Sequence, residues 1–80
     1  MKYVKTVTPL KGCRLYMEMD SGSSVVIDLS GKLRTMKYAE LADEALFFDV
    51  ETDGDYVTWG RGRVKVTVKE LMDIVLLGNM

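Results

Sequence analysis

Cys13-Arg14-Leu15-Tyr16-Met17-Glu18-Met19-Asp20-Ser21-Gly22-Ser23-Ser24-Val25-Val26-Ile27-Asp28-Leu29 decides the fold of this 80-residue chain. Successive side chains of a strand point to opposite faces. The alternation therefore puts Cys13, Leu15, Met17 and Met19 on one face and Arg14, Tyr16, Glu18 and Asp20 on the other. Asp20-Ser21-Gly22-Ser23 supplies turn chemistry, with the glycine free to take positive φ. Val25, Ile27 and Leu29 then resume an inward alternation against Ser24, Val26 and Asp28, so the stretch reads as a β-hairpin with one apolar face.

Toward the N-terminus, Tyr3 to Pro9 is rich in Val and Thr and ends at a proline, which has no N–H for a ladder. That predicts an edge or terminal strand, with Lys11-Gly12 as the turn into the hairpin. Toward the C-terminus, Ser30 is placed to cap a short helical turn reaching Arg34. Tyr38, Leu41, Ala42, Ala45 and Leu46 recur at spacings of three and four, a helical stripe, while Asp43 offers an alternative cap for a shorter helix beginning at Glu44.

Phe48 to Thr52, the Asp53-Gly54 turn signal and Tyr56 to Trp59 make a second hairpin, with Val57 and Trp59 on one face. Gly60-Arg61-Gly62 turns the chain again into a short final strand in which Val64 and Val66 alternate with Arg63 and Lys65. Thr67-Val68-Lys69-Glu70 has the spacing of a capping box. The helix it opens would dock through Val68, Leu71, Met72, Val75 and Ile74, and Gly78 stands where a left-handed residue would end it. The expected architecture is a single α+β domain over residues 1–80, a small, mainly antiparallel sheet of two hairpins plus a short strand, packed with two or three short helices.

Function classes are narrowed by what the chain lacks. It has no histidine and one cysteine, Cys13, so most side-chain equipment for acid–base, transition-metal and nucleophilic chemistry at neutral pH is missing. A chain this short buries only about 60 % of its unfolded surface, which makes a deep active-site cavity costly and a surface site cheaper. Hydrophobic residues at 48% with 29% charged fit a folded domain rather than a disordered one. No enzyme activity, cofactor or metal is expected.

The expected location is the cytoplasm. One cysteine forms no disulfide within the chain, the N-terminal Met1-Lys2-Tyr3-Val4-Lys5 lacks the apolar run of a signal peptide, and no stretch approaches the roughly 18 apolar residues of a membrane span. Net charge is −1, yet residues 1–40 carry seven Lys/Arg against four Asp/Glu, and residues 41–80 four against eight. The acidic overall balance, with a pI of about 5.3, argues against a dedicated nucleic-acid binder, whose phosphate contacts usually come from a strongly basic face.

A few residues are candidates for more than folding. If the last strand starts early, Arg61, Arg63 and Lys65 share one face, with Tyr56 and Thr58 nearby across the turn, and could hold phosphate groups. The plainer reading is a solvated edge whose cations discourage edge-to-edge pairing. Tyr56 and Tyr16 are candidate exposed aromatics for partner contact. Asp43, Glu44, Asp49, Glu51, Asp53 and Asp55 form an acidic set without calcium-loop spacing, better read as solvated surface. Cys13 and Trp59 read as core residues. Glu70 and Asp73, spaced as a carboxylate pair on one helix, are better explained by capping than by catalysis.

Taken in order, Val7, Pro9, Leu10, Leu15, Gly22, Asp28-Leu29-Ser30, Leu41, Asp43, Phe47, Val50, Asp53-Gly54, Trp59 and Leu71 resemble the small bacterial family catalogued as domain of unknown function 2442. The resemblance runs from about Val4 to Leu71. It departs at Trp59-Gly60-Arg61-Gly62, where the family has Trp-Pro-Asn-Gly. The resemblance implies an α+β fold and little chemistry; some members carry a following helix-turn-helix domain, which is not expected here with two residues after Gly78, and some look like partners of small toxin-like proteins.

The expected function is a non-catalytic protein-interaction or regulatory module, with a small toxin-like protein among the candidate partners. The alternative is a nucleic-acid-binding or antitoxin-like transcriptional regulator component. A homodimer is also expected through the C-terminal helix, because Ile74-Val75-Leu76-Leu77 holds more apolar surface than one helix face can bury.

Overall fold

The computed structural model describes residues 4–76. Two expectations, Tyr3 as the start of the first strand and Gly78 as the end of the last helix, lie outside the described residues, as does Leu77. The α+β class is as expected, but the strands divide into two antiparallel three-stranded sheets rather than one. The first holds β1 (Val4–Leu10), β2 (Arg14–Met19) and β3 (Ser24–Asp28), and the second holds β4 (Val50–Thr52), β5 (Tyr56–Trp59) and β6 (Val64–Thr67). Between them run 3-10 turns at Ser30–Lys32 and Ala39–Ala42 and the short helix α1 (Glu44–Phe48); α2 (Val68–Leu76) closes the chain.

Register explains which residues are inside. Leu15 faces Pro9 and Ile27, and Met17 faces Val7 and Val25, so the apolar face read from the hairpin is the buried one. Between Val4 and Thr6 the β1 register shifts by one residue. This bulge at Lys5 turns Val4 inward, where strict alternation from Thr6 would face it outward. In the second sheet Trp59 faces Val50 and Val64, and Val57 faces Thr52 and Val66. Both inner faces, with Leu29, Tyr38, Leu41, Phe47, Val68 and Leu71, form one core, in which Phe47 stacks on Trp59 at 6.0 Å. The Val4 N–H donates to the Gly54 carbonyl at 3.1 Å and ties the two sheets together.

Several local expectations are corrected by competition between caps. Asp43 breaks the 38–46 stripe into a 3-10 turn and a separate helix, because its carboxylate accepts from the Ala45 and Leu46 N–H groups. This is the shorter-helix alternative. Asp28, not Ser30, secures the first 3-10 turn: its Oδ1 accepts from the Ser30 N–H at 2.9 Å and hydroxyl at 2.6 Å, which holds its carboxyl below the usual range. Cys13 is not in β2 but in the preceding turn, at φ 60, with its thiol donating to the Leu41 carbonyl at 3.4 Å. The Thr67 hydroxyl accepts the Glu70 N–H at 3.0 Å, half of the expected capping box, while the Glu70 carboxylate is drawn away to Tyr38 and Lys37.

Candidate interaction surface

Of the five candidate contact residues the structure brings together Lys65 and Tyr56, and not the other three. The extended arrangement of Arg61, Arg63 and Lys65 is not formed, because β6 begins only at Val64 and Arg61 lies in the turn at φ 59, flanked by Gly60 at 62 and Gly62 at 99. Three successive left-handed residues curl the chain away from a strand path. Arg63 is spent on an ion pair, its Nε 2.7 Å from Glu40 Oε1. Only Lys65 lies in the strand, on the outer face of the second sheet beside Thr58. Since Tyr56 and Trp59 are at opposite ends of β5, about 10 Å of strand separates Tyr56 from the arginine turn.

Tyr16 belongs to the other sheet. It is half-buried rather than fully exposed, between Thr8 and Val26 on the outer face. Val26 is itself 50% exposed, so that face offers one small apolar row rather than a patch.

Tyr56 is the residue around which surface features gather. Its ring is 39% exposed, and the Lys65 ammonium sits 4.4 Å from its centroid, a cation–π contact. Tyr56 pairs with Thr67 across β5 and β6. The preceding loop is tightly built: Asp53 Oδ1 accepts from the N–H groups of Tyr56 at 2.9 Å and Asp55 at 3.0 Å, and Thr52 Oγ1 donates to the Tyr56 carbonyl at 2.7 Å. Those N–H groups hold the Asp53 carboxyl below the usual carboxylate range, so the loop stays charged on its outer side.

Two depressions share Tyr56. One, about 140 Å³, is polar and lies over the outer face of the second sheet among Glu51, Thr52, Asp53, Thr58 and Lys65. The other is an open groove of about 730 Å³, mainly apolar, walled by Met19, Tyr56, Val68 and Met72 with the exposed side chains of Asp55, Thr67 and Lys69 beside them. Met19 ends β2, Tyr56 begins β5 and Val68 begins α2, so three elements converge on it. Reading Met19, Val68 and Met72 as core misses this role. The signal for it is the spacing of Val68, Met72 and Leu76 along one side of the helix, where cover falls away from buried Val68 through half-buried Met72 to exposed Leu76.

A third depression, about 340 Å³, lies by the first turn among Leu10, Cys13, Leu33, Leu41, Phe47 and Phe48. Burial, with the nearby Asp28 charge adding to it, pushes the Cys13 thiol above its ordinary value, which disfavours the nucleophilic thiolate. Among the described residues no group of three or more Cys, Asp and Glu is placed to hold a metal ion. The carboxylates of the acidic set are dispersed, with Asp43 capping α1 and Asp53 organising its own loop. Asp73 lies 3.9 Å from Lys69, and Glu70 faces Lys37 and Tyr38, so they do not act as a carboxylate pair. No described helix is long and apolar enough to cross a membrane. No family model, curated protein or solved structure matches the chain.

Proposed function

We propose that this chain is a non-catalytic protein-interaction module whose contact surface is centred on Tyr56. The observation that carries the reading is the apolar groove walled by Met19, Tyr56, Val68 and Met72, beside a charged and polar depression on the same tyrosine. Open apolar surface rimmed by polar groups is the composition of a partner site, and a tyrosine with an apolar body and a polar tip is a common anchor in one. The resemblance to domain of unknown function 2442 supports the same reading by analogy alone.

A tagged pull-down from the source cells, split into nuclease-treated and untreated halves, tests it with the wild type and Tyr56→Ala. A protein retained after nuclease by the wild type and lost with Tyr56→Ala is the expected result. Equal recovery by both proteins removes Tyr56 from the site. Recovery that vanishes with nuclease favours the nucleic-acid reading instead, with exposed Arg61 as its first residue to replace.

A further inference from the structure

We propose that the outer edge of β3 is an interaction surface that pairs, antiparallel, with the same edge of a second copy of this chain about a twofold axis at Val26. This edge is separate from the groove at Tyr56 and does not depend on it. The hairpin's own bonds show which backbone groups face outward. The Met19 N–H donates to the Ser23 carbonyl at 2.7 Å and the Leu29 N–H to the Cys13 carbonyl at 2.9 Å, with the register unshifted between them. Bonded and non-bonded pairs alternate in an antiparallel ladder. Val25 and Ile27 therefore bond β2, while Ser24, Val26 and Asp28 turn their N–H and C=O groups away from it. Among the described residues no backbone bond reaches those groups from elsewhere in the chain.

The other edges are guarded and this one is not. On β1 the same alternation points Pro9 outward, where it has no N–H to offer, a bulge interrupts the strand at Lys5, and the Gly54 carbonyl takes up the Val4 N–H. β4 is three residues long, and β6 carries Lys65. Short edges, prolines, bulges and lysines are the devices that keep one sheet from pairing with another. β3 has five residues and none of these.

Its sequence is also self-complementary. An axis at Val26 sets Val26 against Val26 and, in both directions, Ser24 against Asp28, so each outward group meets a partner in one closed isologous contact. An axis at Val25 would set Asp28 against Gly22 in the turn, and one at Ile27 would set Ser24 against Ser30 in a 3-10 turn. Only the axis at Val26 keeps all the outward residues within the strand. There the Asp28 carboxylate faces a Ser24 hydroxyl rather than a like charge. On the outer face, exposed Val26, with Tyr16 and Thr8 behind it, continues into the same row of the second copy and covers apolar surface that one molecule leaves open. This match of backbone phase, charge and apolar row favours a second copy over an unrelated strand.

Sedimentation velocity and amide hydrogen exchange on the purified full chain test the pairing. The wild type is expected to dimerise, its dimer fraction rising between micromolar and millimolar concentration, as suits a contact at the small end of specific interfaces. The Ser24, Val26 and Asp28 amides should gain protection as the dimer forms, whereas those of Val25 and Ile27 should be protected at every concentration. Because Val26 is exposed, Val26→Lys should keep the wild-type circular dichroism while setting two cations against each other at the axis and weakening self-association at least about tenfold. Tyr56→Ala should dimerise like the wild type, since no described residue of β3 lines the groove there. A wild type that stays monomeric to millimolar concentration, a dimer in which the Ser24, Val26 and Asp28 amides exchange freely, or a dimer that Val26→Lys leaves intact overturns the pairing.

Discussion

Tyr38 donates its hydroxyl proton to Glu70 Oε2 while Lys37 Nζ approaches Glu70 Oε1 at 2.7 Å, so one carboxylate on α2 clamps two consecutive residues of the segment before the 39–42 turn. Tyr38 is 5% exposed, and its ring is core while its hydroxyl reaches the edge. Removing the hydroxyl deletes a bond to a charged acceptor but leaves the ring in place. Tyr38→Phe should therefore destabilise the chain by about 1 to 2 kcal/mol, the range for such a bond reduced for the solvent that reaches Glu70. Urea unfolding of both proteins at pH 7 measures the difference.

Burial, reinforced by the bond to Glu70, pushes the Tyr38 phenol well above its ordinary value. A folded state that holds this proton more tightly than the unfolded chain is stabilised below the unfolded tyrosine value, about 10, and loses that contribution as pH rises toward the folded one. The wild type should lose stability steeply above about pH 10, and Tyr38→Phe should lose less over the same interval. Denaturant midpoints for the pair from pH 8 to 11.5 decide it; parallel curves would remove Tyr38 from the alkaline transition.

Glu70 gives the opposite limb. Burial works against its charge, but the bonds from Lys37 and Tyr38 outweigh it and lower its carboxyl below the ordinary glutamate value. A depressed folded value means stability that is present above the unfolded value, about 4.3, and is lost as pH falls through the folded one. The gap between wild type and Glu70→Gln should be widest near neutrality and close below about pH 4. A gap that stays constant from pH 7 to 3 would show that the glutamine cost is only one of packing.

Legibility in the sequence followed the range of the interaction. The hairpins, Asp43 as a helix cap and Val57, Trp59, Val64 and Val66 as inward residues depend on neighbours two to four positions away, which a pattern displays. The division into two sheets does not, since it depends on which strand edges the 30–48 segment separates. Glu70 was readable as a cap but not as the acceptor of Tyr38, 32 residues earlier, and Arg63 gave no local sign of Glu40, 23 residues away. The Gly60-Arg61-Gly62 pattern announces a turn; extending a cation row through it ignores what the two glycines imply. The groove at Tyr56 needs β2, β5 and α2 together, so only its helical side was visible.

Gly60 is the position where the turn tolerates least. Its φ is +62, and a Cβ added there would run into the Leu46 side chain and approach the Arg63 Cβ at 3.2 Å. Leu46 is half-buried against the core, so its side chain must shift to admit a Cβ. Gly22, at φ +97, meets nothing within 4 Å, so alanine there adds backbone strain alone. Gly22→Ala should cost about 1 to 2 kcal/mol and Gly60→Ala about 1 to 3 kcal/mol more, the range for overpacking. Thermal melts of the two variants, run together, check the order; equal losses would mean that Leu46 moves aside freely.

Trp59 tests how the core treats a polar atom it does not satisfy. The side chain is fully buried between Val50, Val64 and Phe47, and among the described residues its Nε1 has no hydrogen-bond partner. A buried donor left unpaired costs about 1 to 3 kcal/mol, so replacing the indole by an apolar ring recovers part of what the smaller ring loses in packing. Trp59→Phe should cost less than about 2 kcal/mol, whereas Trp59→Ala, which leaves a cavity and ends the stacking on Phe47, should cost about 3 to 5 kcal/mol. Chemical denaturation of the two variants gives both numbers. If phenylalanine proves as damaging as alanine, the indole N–H is satisfied in solution and the donor contributes to stability rather than subtracting from it.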